Sequence, residues 1–264
     1  MYQKPLPLNS AAHRDLRFKP SPGYAFAARL PVIPLVFSEL VHIARQMPIA
    51  FALNHASLLA LVSVDGQNNA HVNTQTNVLG QWQGAEYVPA YLRTYPFLVQ
   101  ELTPGEDEQE KTLAILFDAA APHFQSGQGE RLLDDEGQAT ELLKNIQSML
   151  VAMHGDRLRT QGMVQQLDAL GLLREDELKF KPAKGDGVSL KGFRVVDRQA
   201  FAALDGSQLK TLQGSGALPL VYAHLFSLSH LENGWLARQI HAQKPPTPNL
   251  EAFFNSGEGS LSFG

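Results

Sequence analysis

The chain has 264 residues, 44% of them hydrophobic and 18% charged, with a net charge of -4 and no cysteine. That size buries a substantial core as one large domain or two small ones, and the lack of a polybasic block excludes a nucleic-acid or anionic-membrane footprint. Without cysteine there is no disulfide, no thiolate nucleophile and no Cys-ligated zinc.

The first 22 residues are polar and proline-rich, and they predict an arm lying over the domain. They contain no continuous apolar stretch of the secretory-signal kind. Pro31–Phe37 is extended, because each proline turns its predecessor away from helix. Ile49–Leu53 and Leu58–Val64, separated by Asn54-His55-Ala56-Ser57, predict two neighbouring antiparallel strands, and Asp65-Gly66 supplies a turn. Leu113–Phe117 predicts a buried strand ending at Asp118. The loop Glu101–Glu110 is acidic but lacks calcium-loop spacing, so it predicts a solvated loop.

After Phe117 the periodicity becomes helical. Leu142, Leu143, Ile146, Met149, Leu150 and Met153 recur at helical spacing, and a second helix is predicted from Asp156 to Leu170, stopped by Gly171. Leu178–Lys181 and Val188–Val195 alternate as half-buried strands around the loop Pro182–Gly187. Asp197 caps a short helix through Leu204, and Gly206–Ile240 predicts two further helices. The longest apolar stretch, Ala217–Leu231, is too short to span a membrane and carries His224, Ser227 and His230. The expected architecture is an α+β fold: an antiparallel sheet mainly from the N-terminal half, covered by helices from the C-terminal half. A single domain is expected over residues 1–244, with a proline-initiated tail over 245–264 and a cytoplasmic location by default.

Chemistry-bearing motifs are sparse. The histidines form no i, i+4 pair, and His224 and His230, six apart, point about 120° from each other on a helix. No metal site is expected, although His55 and His71 are a conceivable distant pair. There is no nucleophile elbow, no dinucleotide fingerprint and no phosphate-binding lysine loop, so no cofactor is predicted.

The densest signal is Tyr87-Val88-Pro89-Ala90-Tyr91-Leu92-Arg93-Thr94-Tyr95-Pro96-Phe97, with Trp82 upstream. Pro89 suits the start of a helix and Pro96 stops it, which predicts one or two turns. Tyr91 and Tyr95 are expected on one face, Leu92 and Phe97 turned to the core, and Arg93 at the side, stacking on Tyr87 or Trp82 or pairing with a carboxylate. Two readings stay open: a rigid corner, or the wall of a site built from Trp82, Tyr87, Tyr91, Arg93, Tyr95 and His224.

This string resembles the signature of the bacterial SapC family. So do Gly192-Phe193-Arg194-Val195-Val196-Asp197, followed by Leu204, and Gly216-Ala217-Leu218-Pro219-Leu220-Val221-Tyr222-Ala223-His224-Leu225-Phe226-Ser227-Leu228. The resemblance implies an accessory protein of surface-layer or outer-membrane systems, with a peptide or protein partner and a surface association. It implies no catalytic residues. The alternative is an enzyme or enzyme partner in peptide or amino-acid modification, with a pocket near Trp82–Phe97 and a carboxylate such as Asp118.

Overall fold

The computed structural model describes residues 1–9, 12–21, 23–102, 112–124, 127–180 and 188–240. The acidic loop beyond Leu102, the Pro182–Gly187 loop and the tail over 245–264 lie outside the described residues. The arm contributes strands β1 (Pro5–Pro7) and β2 (Arg17–Phe18). Next come β3 (Val32–Leu35), helix α1 (Leu40–Ile43), β4 (Ile49–Ala52), β5 (Leu58–Leu61), β6 (Val72–Asn73) and β7 (Gln81–Trp82). Helix α2 (Ala90–Arg93) then leads to β8 (Phe97–Leu102), β9 (Thr112–Asp118) and β10 (Glu130–Arg131). The second half supplies α3 (Glu141–Ala169), β11 (Leu173–Phe180), β12 (Val188–Val196) and α4 (Arg198–Ala202). It closes with α5 (Gly206–Ser215), α6 (Ala217–Ser227), α7 (His230–Asn233) and α8 (Trp235–Ile240).

The expected α+β architecture is the one observed. The main sheet is antiparallel in the order β11-β12-β4-β5-β3, and a second sheet runs β1-β9-β8. The predicted hairpin pairs Ile49 with Ala60 and Phe51 with Leu58. Two helical expectations need correction. A single helix, α3, replaces the two predicted over 139–170, and four helical pieces replace two over 206–240. Gly216, at φ +79°, ends α5 in the left-handed region that glycine adopts without strain, and Gly234 ends α7. No helix among the described residues is long and apolar enough to cross a membrane.

Three hydrophobic clusters form the core; one gathers Ala50, Leu61, Phe193, Val195 and Leu236, and the other two meet at the aromatic segment. The larger of these two gathers Ile33, Ile43, Phe51, Leu92, Leu167 and Val221; the smaller gathers Phe97, Phe117, Leu132, Leu143, Ile146 and Leu150. Helix α3 serves both, with Leu143, Ile146 and Leu150 in the smaller cluster and Met163, Val164 and Leu167 in the larger. This double burial explains why the helix runs through Gly155 and Gly162: each glycine costs about 1 kcal/mol relative to alanine, and one buried leucine or valine outweighs it at about 1.5–3 kcal/mol. The aromatic segment is the second crossing, since Leu92 enters the larger cluster and Phe97 the smaller.

Candidate functional site

Pro89 has the extended ψ of 142° expected at a helix entry, and α2 completes a single turn before Thr94 caps it. The Tyr95–Pro96 peptide is cis. Leu92 and Phe97, 1% and 2% exposed, are buried as the spacing predicts. Tyr95 departs from expectation. The helix ends at Arg93, so Tyr95 does not share a face with Tyr91; it turns inward, stacking on Phe26 at 4.0 Å and lying 5.5 Å from Tyr2.

Two buried carboxylates hold the segment at its ends. At the first end Glu39, 2% exposed, accepts hydrogen bonds from the Val36 amide at 2.9 Å and the Ala90 amide at 2.7 Å. The Ala90 amide opens α2, where unpaired N–H groups favour an anion. Gln46 adds a carbonyl oxygen that accepts from the Glu86 and Tyr87 amides. Burial lifts the Glu39 carboxyl above the usual carboxylate range, against the pull of these amides, of Arg93 and of the Tyr87 hydroxyl. At the second end Asp118, fully buried, accepts from the amides of Gln3, Lys4 and Ala120 and from the Tyr95 hydroxyl at 3.0 Å. Burial pushes its carboxyl up, and the four donors outweigh that and hold it below its ordinary value. The Tyr95 hydroxyl is raised by burial and by the acceptor it faces.

The outward side differs. Arg93 is exposed, its guanidinium 5.2 Å from the Tyr87 ring centroid, with Nη2 donating to the Tyr87 hydroxyl at 2.8 Å and Nε to the Val88 carbonyl at 3.1 Å. The His42 ring stacks on Tyr87 at 4.8 Å. Of the partners foreseen for Arg93, the structure selects Tyr87. Trp82 stacks instead on His71 at 5.1 Å and meets Tyr24 edge-on. His71 is fully buried and donates from Nδ1 to the Gln83 carbonyl, so its Nε2 carries no proton; burial pushes its pKa down to about 4. Gly84 lies against Trp235 so closely that a Cβ there would fall 2.1 Å from the ring. Beside Trp82 an open, mainly polar depression of about 620 Å³ is lined by Arg45, Gln46 and Glu86.

Tyr91 faces a different hollow, a cleft of about 130 Å³ between β8 and α3. Its walls include Phe97, Val99, Leu150 and Met153, and its polar members include Tyr91, His154 and Arg157. His154 Nε2 lies 3.2 Å from a Glu101 carboxylate oxygen and Arg157 Nη2 3.6 Å from the same oxygen.

His224 is not part of this face. It is fully buried against Phe51, its Nδ1 donates to the Ile49 carbonyl at 2.8 Å, and its Nε2 accepts the Val196 amide at 3.1 Å. Burial lowers its pKa to about 4, so the neutral ring staples α6 to β4 and β12. Of the six candidate residues, half-buried Tyr87 and exposed Arg93 form one stack, Trp82 and Tyr91 each line a hollow, and Tyr95 and His224 are internal. Arg194 donates to the Ala52 carbonyl and pairs with Asp168, and Asp197 caps α4 through the Gln199 and Ala200 amides. The Gly192–Asp197 string is thus structural as well. His55 and His71 do not belong to a metal cluster; no group of three or more potential ligands occurs among the described residues.

Sequence reasoning missed Glu39, Gln46, His154 and Arg157. A glutamate inside the apolar run Val36–Ile43 is the one local signal for Glu39. The arginine and histidine of the cleft sit on a helix face that looks merely solvated.

The SapC family model matches residues 8–233. No curated protein and no solved structure matches the chain. The chain belongs to the SapC family.

Proposed function

We propose that the chain is an accessory binding protein that presents the Trp82–Arg93 face to a peptide or protein partner of a surface-layer or outer-membrane system. One observation carries this reading: the backbone under the face is clamped by Glu39 and Gln46, while the Arg93–Tyr87 stack points outward. A surface already held in one conformation loses little entropy on binding, and exposed Arg and Tyr are favoured at recognition sites. The open depression beside Trp82 extends that face with Arg45 and Glu86. The surface-layer or outer-membrane setting rests on the family resemblance. The reading includes no resident cofactor, and native mass spectrometry of the purified protein would report one as added mass.

Photo-crosslinking in the source cells tests the proposal. A crosslinker at Glu86 is expected to capture one defined protein, whereas a crosslinker at exposed Lys210 on α5 captures none, and Arg93→Glu removes the adduct. Equal capture from both positions, or capture indifferent to Arg93→Glu, would overturn it. The enzymatic alternative draws on the Tyr91 cleft, which Tyr91, His154 and Arg157 line together.

A further inference from the structure

We propose that the cleft between β8 and α3 binds a small amphipathic acid: one aryl or branched alkyl group with a carboxylate one or two bonds away. This site is separate from the partner face and does not depend on it. The cleft's 130 Å³ is close to the roughly 150 Å³ of an apolar cavity known to hold benzene, so it admits one group of that size. Phe97 and Leu150, 2% and 4% exposed, give it a dry inner wall.

The polar side of the cleft offers unused donors. Among the described residues Arg157 uses Nη2, on His154 Nδ1 at 3.4 Å and on Glu101 at 3.6 Å. Its Nη1 has no partner among the described residues and can donate a charge-assisted hydrogen bond to a carboxylate oxygen. Engaging it leaves Nη2 with Glu101, so the acid need not displace the existing pair. The Tyr91 hydroxyl also lacks a partner among the described residues, and burial keeps it protonated as a donor. The site lies at the seam of two core clusters, bounded by the two elements that cross between them, α3 and the aromatic segment. An exposed cation alone holds an anion weakly, so recognition requires both the apolar group and the carboxylate.

A free acid and the C-terminal residue of a peptide present the same chemistry, and the test separates them. Isothermal titration of the full chain would use phenylacetate, isovalerate, acetate, phenylacetamide and acetyl-glycyl-phenylalanine as probes. Phenylacetate or acetyl-glycyl-phenylalanine is expected to bind at least about tenfold more tightly than acetate and phenylacetamide. Tighter binding of the peptide assigns the site to a C-terminus, and tighter binding of phenylacetate to a free acid. Arg157→Gln, at a half-exposed position that folding tolerates, is expected to weaken the preferred probe about tenfold, and Met153→Trp to abolish binding by filling the cleft. The proposal is overturned if no aryl or branched acid exceeds acetate, or if binding persists undiminished in both variants.

Discussion

The two ends of the aromatic segment are both held by a buried carboxylate, yet they are built differently. Glu39, buried just before α1, clamps the Ala90 amide, with Gln46 clamping the amides ahead of it. Asp118 clamps Tyr95 but spends two of its bonds on the backbone of Gln3 and Lys4, so that end depends on the first residues of the arm. The lesson is that similar chemistry gives one end that only unfolding can release and another that detachment of the arm can loosen.

Replacing Glu39 should break the comparison most severely. Glu39→Ala leaves the Val36 and Ala90 amides unpaired in the interior, and a loss of roughly 3–5 kcal/mol is expected in urea unfolding. Asp118→Ala should cost less, about 2–3 kcal/mol, because the released Gln3 and Lys4 amides can turn to water. Deleting residues 1–4 should overlap with it, so that the double variant loses less than the sum.

Acid should separate the ends without mutation. The Asp118 carboxyl is lowered in the fold, so its contribution is complete above its ordinary value near 3.8 and is lost as pH falls through the lower folded value. The Glu39 carboxyl is raised, so its contribution is complete below its ordinary value near 4.5 and declines only as pH rises through the folded value. As pH falls below about 3.8, hydrogen exchange should show Gln3, Lys4 and Ala120 losing protection relative to Val36 and Ala90. His71 and His224, both lowered to about 4 by burial, bind protons more readily unfolded. They subtract global stability as pH falls from 6.5 towards 4, and that loss acts on both amide sets together. A smaller test removes one bond: Tyr95→Phe should cost about 1 kcal/mol and loosen only the second end.

Much of the frame was legible in the chain. Adjacent apolar runs predicted the β4–β5 hairpin, and Pro89 and Pro96 bounded α2, because these signals are local. The clamps were not legible. Glu39 and Ala90 lie 51 residues apart, and nothing nearby in sequence says which amide a buried glutamate serves. The continuity of α3 was hidden for the same reason, since its two halves are rewarded by different clusters. His224 looked like a candidate binding-site residue because its type suggests chemistry; its two backbone partners reveal a staple.

The central claim is that the segment's structural groups lie beneath its surface and its recognition group lies on it. Urea unfolding of Arg93→Ala beside Glu39→Ala tests this most directly. The account predicts that Arg93→Ala stays within about 1 kcal/mol of the parent, the value of an exposed cation–π contact, while Glu39→Ala loses several times more. Equal losses in the two variants would contradict it, because Arg93 would then belong to the clamp rather than to the face.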